Sequence, residues 1–227
     1  MHADIDIVIN FLSKNDVKKV TDLYFEYFYE DGPFQPVLSR ANISGKLMEH
    51  YFESIGDSRN NFILTAKFHD ELIGFISLIK NDRDIYLNLI KNHLLSLLFL
   101  LAYLLITKGP IIIKLLLNKI NFIFNNGSKS IDKTLPETNT IPELSKEMYK
   151  IRPMLVITEF QGTSVAKDLI ISAEKILKTR GEESYRLQVL ESNKRAINFY
   201  NKVGFSMAKE QGNYFYMIKK ISDKPEI

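Results

Sequence analysis

Residues 153–205, PMLVITEFQGTSVAKDLIISAEKILKTRGEESYRLQVLESNKRAINFYNKVGF, change their hydrophobic period several times, and those changes decide the fold. A short apolar run reads as a strand ending near Thr158. The chain turns over 159–163. Val165, Leu169, Ala173, Ile176 and Leu177 then recur at helical spacing as far as Gly181, a C-terminal cap. A strand, a tight turn and a helix in that order aim several unpaired backbone N–H groups and the positive end of the helix dipole at one spot, which suits a phosphate. Most such turns bind nothing, so the pattern alone is not specific. A second strand over 185–190 follows. A helix begins at Ser192 or Asn193 and carries Ala196, Phe199, Tyr200 and Val203 on one face, with Gly204 closing it. On periodicity alone, Phe199 and Tyr200 read as core aromatics of an amphipathic helix.

Upstream, alternation over 5–11 predicts an opening strand. Asp16 is placed to cap a helix whose stripe is Val17, Val20, Leu23, Tyr24 and Tyr27. Residues 30–39, EDGPFQPVLS, predict an irregular loop of the kind that shapes substrate pockets, before a second helix through Leu47, Tyr51 and Phe52. Two β-branched and apolar runs around Asp70 and Glu71 predict a hairpin, with strands over 62–67 and 72–79.

Residues 86–124 include HLLSLLFLLAYLLITKGPIIIKLLLNKINFIF and are almost wholly apolar. A membrane helix needs roughly 20 apolar residues, and the run is interrupted after Thr107 by Lys108, Gly109 and Pro110. Three readings stay open: a pair of helices with a corner at Gly109 and Pro110 that packs on the domain or on a second copy, a membrane-surface or re-entrant attachment, and a span. Lys91, Lys108, Lys114 and Lys119 fit interfacial attachment and ordinary solvated edges alike. Residues 126–148 mix small, polar and charged groups and read as a connector. The expected organisation is a core half over 1–83, an apolar helical insertion with connector over 84–148, and a second core half over 149–227.

Composition narrows the function. The chain has 227 residues, 45% hydrophobic and 25% charged, as a globular protein does, and its net charge of +3 is too balanced to imply a nucleic-acid surface. With no cysteine there is no disulfide framework, thiolate metal site or cysteine nucleophile, and a reducing cytoplasm is the simplest compartment. The acidic N-terminal stretch does not resemble an export signal. His2, His50, His69 and His93 are widely separated and show no metal-ligand spacing, so no metal is expected.

The segments quoted first resemble the GNAT N-acyltransferase superfamily. Its pyrophosphate loop has the form Gln/Arg-x-x-Gly-x-Gly/Ala, and a downstream helix has the form Asn-x-x-Ala-Ile-x-x-Tyr-x-x-x-Gly-Phe. Gln161 and Ala166 match the loop; Asn193, Ala196, Ile197, Tyr200, Gly204 and Phe205 match the helix. The resemblance covers about 151–218 and, more loosely, the helices and hairpin before the insertion. It implies an α/β (α+β) fold with a mixed, strongly twisted sheet flanked by helices, and acetyl-CoA bound in a V-shaped gap between the fourth and fifth strands, here 154–158 and 185–190.

Carried over by position, the resemblance implies that backbone groups of Met154, Leu155 and Val156 pair with the pantetheine amides. Gln161, Gly162, Thr163, Ser164, Val165, Ala166 and Lys167 would surround the pyrophosphate. Asn193 would lie beside the pantetheine arm, and Tyr200 near the thioester sulfur as proton donor. Ser164 replaces the usual first loop glycine. It costs about 1 kcal/mol if the backbone there is left-handed, although its hydroxyl could bond phosphate.

The implied activity is transfer of an acetyl group from acetyl-CoA to a primary amine by direct attack in a ternary complex, without a metal. An N–H near Val156 could stabilise the oxyanion. Glu159, Glu191, Glu30, Asp31 and His50 are candidate bases, each also readable as a surface group. The acceptor would be a small-molecule or peptide amine. The acidic, aromatic loop suits a cationic or sugar-like amine, and the insertion suits an apolar or lipid-linked one. A non-catalytic acetyl-CoA-binding or membrane-associated interaction module is the alternative. In either case the protein is expected in the cytoplasm or at a membrane periphery, with the insertion contacting a membrane surface or forming a homodimer.

Overall fold

The computed structural model describes residues 7–28, 42–100, 102–103, 106 and 148–221. β1 (Ile7–Phe11) leads through a short 3-10 turn to α1 (Val17–Phe28), followed by α2 (Asn42–Gly56), β2 (Phe62–Phe68), β3 (Glu71–Ile79) and α3 (82–100). Beyond residues 107–147, which are not among those described, come β4 (Tyr149–Val156), α4 (Val165–Thr179), β5 (Ser184–Leu190), α5 (Lys194–Lys202), β6 (Ser206–Gln211) and β7 (Tyr214–Lys220). The strands form one mixed sheet in the order β1-β2-β3-β4-β5-β7-β6, in which only β4 and β5 run parallel.

Helices cover both faces of the sheet, which is why β2 and β3 read as nearly continuous apolar runs. Phe62, Leu64, Ile73 and Ile76 pack toward α4, whose Val165, Leu169, Ala173 and Leu177 complete that core. Ile63, Phe75 and Ile79 point the other way, onto Val17 and Val20 of α1 and Phe52 and Ile55 of α2. His69 and Asp70 take positive φ (48° and 64°) in the β2–β3 turn, a conformation that His and Asp tolerate better than most residues. Asp16 is buried next to that turn's strand. Burial pushes its carboxyl up, but the Lys67 ammonium at 2.8 Å and the Ser13 hydroxyl outweigh this, and its pKa is lowered.

β4 begins earlier than the apolar run at 154 suggests. Tyr149 and Ile151 enter the core in alternation, while Lys150 and Arg152 between them hide the strand signal. Arg152 and Pro153 sit at a bulge where Ile76 faces Met154 and Leu78 faces Ile151, a position that spares proline a ladder bond.

α3, at the start of the expected insertion, has its polar side turned inward. Asn88 donates to the Ser54 carbonyl, Asn92 to Asp57, and His50 pairs with Ser96. Leu87, Ile90, Leu94, Leu95, Leu98 and Phe99 face out, Leu95 and Phe99 at 82% and 80% exposure. No described helix is long and apolar enough to cross a membrane. The expected corner at Gly109 and Pro110 and the connector to 147 lie outside the described residues, as do Glu30 and Asp31.

Candidate functional site

β4 and β5 are paired only where they start, Tyr149 with Tyr185 and Lys150 with Arg186. Beyond that the strands part, and each keeps its antiparallel neighbour on the outer side: β4 holds β3, and β5 holds β7. The parting leaves the inner edges of 151–156 and 187–190 facing a gap.

Strand alternation decides which groups line that gap. Ile157 N–H donates to the Ile73 carbonyl at 3.0 Å, so Ile157 is a hydrogen-bonded partner of β3 and, two residues back, so is Leu155 opposite Phe75. The N–H and C=O groups of Met154 and Val156 therefore point away from β3. Gly74, opposite Val156, permits this register, since a Cβ there would lie 2.7 Å from the Leu155 carbonyl oxygen. Leu155 turns its main chain to β3 and its side chain into the α1–α2 core.

The loop after β4 is pinned on several sides. Gln161 Nε2 donates to the Val156 carbonyl at 2.9 Å, closing the turn on the strand end. Thr163 Oγ1 donates to the Phe160 carbonyl at 2.6 Å, Phe160 packs on Phe68, and Val165 is fully buried. Gly162 takes φ +90°, with open space where a side chain would stand. Ser164 is the N-cap of α4 at φ −72°, an ordinary right-handed conformation, and its hydroxyl makes no capping bond. The strain attached to a left-handed serine therefore does not arise. Gly162, Thr163, Ser164 and Lys167 are exposed, while Ala166 is half-buried. The first turn of α4 presents N–H groups that have no intrahelical acceptor, at the positive end of its dipole.

α5 follows β5 in the chain. Asn193 caps it, its Oδ1 accepting the Ala196 N–H at 3.0 Å, which leaves the side-chain NH₂ as the donor. The Tyr200 ring packs against Phe199 and Phe205, each with centroids 5.4 Å away, and Phe205 in turn packs on Tyr185. Burial pushes the Tyr200 phenol up to about 12, and no described residue bonds its hydroxyl.

The candidate bases do not gather at the gap. Glu159 and Glu191 are exposed, and the polar contacts of His50 are all on α2 and α3, with Glu53 and Ser96. Sequence reasoning missed Tyr27. At the end of α1, its hydroxyl accepts the Thr158 N–H at 2.9 Å and lies 3.1 Å from Thr158 Oγ1. Its place on the α1 apolar stripe marked it as core, and nothing in the sequence links it to Thr158. Tyr24 and Tyr51 belong to the same face; burial raises both phenols, Tyr51 to about 12, against the opposing charge of Arg152.

A sheet that splits between parallel fourth and fifth strands, followed by a pinned turn into a helix, is the GNAT architecture. Residues 133–205 match the acetyltransferase (GNAT) family. An uncharacterized N-acetyltransferase of Methanocaldococcus jannaschii is 29% identical over 101 residues, covering 44% of this chain and 45% of that protein. The spermidine N(1)-acetyltransferase of Thermoplasma acidophilum is 37% identical over 62 residues, covering 27% of this chain and 38% of that one. The chain thus spans less than half the length of these curated relatives. In fold, it is similar to the PaiA N-acetyltransferase of Thermoplasma acidophilum in complex with coenzyme A, with a TM-score of 0.56 at 18% identity, covering 95% of this chain and 99% of that one. A GNAT-family acetyltransferase of Streptococcus pneumoniae gives a TM-score of 0.56 at 12% identity, covering 96% and 100%.

Proposed function

We propose that this protein transfers an acetyl group from acetyl-CoA to a primary amine by direct attack within a ternary complex. The observation that carries the reading is the parting of β4 from β5 with the start of α4 at the loop beyond it. Met154, through its N–H and C=O, and Val156, through the second lone pair of the carbonyl that Gln161 already bonds, would pair with the pantetheine amides as an added strand would, with the buried Leu155 between them shaping that wall. Residues 161–167 and the dipole of α4 would surround the pyrophosphate; the N–H groups of Gln161 and Thr163 are already bonded to Thr158 and Phe160, so the donors would be the N–H groups of Gly162, Ala166 and Lys167, with Gly162 and the Ser164 hydroxyl leaving the phosphate room. Asn193 would offer its NH₂ to the pantetheine arm. When bound, acetyl-CoA supplies the acetyl group as an activated thioester.

Tyr200 is the proposed proton donor. Its burial keeps the phenol protonated at every physiological pH. A thiolate whose conjugate acid has a pKa of about 8.5 is too weak a base to keep a proton from so weak an acid, so the phenol acts by donating a hydrogen bond to developing sulfur charge, and the proton the departing thiol finally carries is the one lost by the attacking amine's nitrogen. The N–H of Val156 points into the gap and is the proposed donor to charge on an acyl oxygen.

Polyamines are the first acceptors to test, because one relative is named a spermidine N(1)-acetyltransferase. The cytoplasm is the proposed compartment. Release of free CoA from acetyl-CoA, measured over a panel of polyamines, amino sugars and peptide N-termini, tests the reading. Amine-dependent release supports it. Acetyl-CoA binding without release by any amine would favour the non-catalytic module, for which the outward apolar face of α3 is the supporting observation.

A further inference from the structure

Away from the gap, α2 and α3 bring together the one cluster of potential cation ligands found among the described residues: His50, Glu53 and His93. The spacing of the histidines in sequence gives no hint of it. His50 and Glu53 share a face of α2 at i and i+3, and the inward polar side of α3 adds His93.

From this arrangement we infer a binding site for one divalent transition-metal ion, held by His50, Glu53 and His93, that clamps the base of the apolar insertion to α2. Glu53 Oε2 lies 3.4 Å from His50 Nδ1 and 3.3 Å from His93 Nε2. Around tetrahedral zinc, with bonds of about 2.0–2.2 Å, neighbouring ligand atoms stand roughly 3.3–3.6 Å apart. Both measured edges match. All three ligand atoms lie within 4.8 Å of one another.

Two further observations point to a cation. The Nε2 atom of His93 is buried and makes no hydrogen bond of normal geometry, facing only Glu53 Oε2 at 3.3 Å, although buried polar atoms in folded proteins are nearly always satisfied. His50 Nε2 lies 2.9 Å from Ser96 Oγ. With Nε2–H donating to that oxygen, the Nδ1 lone pair is turned toward Glu53, the arrangement that orients a metal-binding histidine through its other nitrogen. The imidazoles are stacked, centroids 3.9 Å apart at 22°, so both nitrogens reach one ion only when the rings fan apart. Glu53, a third exposed, leaves the fourth position to water. Two imidazoles and one carboxylate suit zinc and its first-row neighbours and do not suit magnesium.

Titrating the full-length chain with ZnCl2 by calorimetry, and with CoCl2 by visible absorption, tests the inference without any activity readout. One equivalent of each should bind, the cobalt complex should show tetrahedral bands, and MgCl2 should not compete. Glu53→Gln and His93→Gln should each weaken zinc at least tenfold, and Ser96→Ala about tenfold. His69→Gln, in the β2–β3 turn, should change nothing. No stoichiometric uptake by the unmodified chain would overturn the inference, and so would uptake unchanged in a His50→Gln/His93→Gln double variant.

Discussion

The hydroxyl of Tyr27 accepts the N–H of Thr158 at 2.9 Å, tying the end of α1 to the second residue beyond β4. This joins the C-terminal end of α1 to the rim of the gap. Tyr27→Phe removes the acceptor at an exposed site where water can replace it, so stability should fall by about 1 kcal/mol or less. The larger effect should be a raised KM for the amine with KM for acetyl-CoA nearly unchanged. Equal effects on both substrates in steady-state kinetics would show that the tie only supports the fold.

Acetyl-CoA at a hundred times its dissociation constant should stabilise the protein by about 2.7 kcal/mol, read as a rise in melting temperature. Gly162→Ala forces a side chain onto φ +90° and should cost about 1–2 kcal/mol, shrinking the ligand-induced rise. Ser164→Gly, by contrast, relieves no strain at φ −72° and should leave the rise close to that of the unaltered protein. A large gain from Ser164→Gly would mean that the serine side chain obstructs the phosphate.

Tyr200→Phe should lower kcat about a hundredfold while acetyl-CoA binding holds, since the ring still packs on Phe199 and Phe205. The folded pKa of about 12 lies above the unfolded value of about 10, so stabilisation from the buried neutral phenol is full below pH about 10 and lost as pH rises toward 12. It follows that no fall in rate between pH 6 and 10, approximately, should come from Tyr200 ionising. Absorbance titration should show late-ionising phenols, Tyr51 among them, with one fewer in the variant. An unchanged kcat with chemistry shown to be rate-limiting would make Tyr200 a core aromatic only.

The outward face of α3 should govern association. Leu95→Glu with Phe99→Glu should leave the acetyl-CoA response intact, because both side chains are exposed and lie on α3, outside the sheet. Vesicle flotation and sedimentation of both proteins would show whether this face meets lipid or a second copy. If neither protein floats or self-associates, both readings fail.

How much of this was legible in the sequence depends on the range of the forces involved. Local signals in 153–205 gave the strand–turn–helix, the Asn193 cap and the sequence of elements, because caps and helical periods are written within a few residues. The hairpin expected around Asp70 and Glu71 was legible for the same reason, its turn falling at His69 and Asp70. The start of β4 was hidden, since its outward Lys150 and Arg152 break the apolar run while the inward Tyr149 and Ile151 hold the strand. α3 inverted the usual rule: its apolar residues are those facing out, and its asparagines and histidine meet α2. Contacts such as Tyr27 with Thr158, or His50 with His93, arise only when distant elements pack, and no spacing along the chain encodes them.

The short pairing of β4 with β5 also has a mechanical meaning. Four residues, Tyr149 and Lys150 with Tyr185 and Arg186, make the entire ladder between the β1–β4 half of the sheet and the β5–β7 half. The sheet is thus two leaves sewn at one end, and along the open seam the ladder is missing, with Gln161 answering the Val156 carbonyl from the side. A molecule laid into that seam supplies the missing rungs, so the same bonds that hold it also stiffen the protein against opening. Amide exchange along Met154 and Val156 should therefore slow when the seam is filled, more than exchange at Ile157, which is already bonded to Ile73.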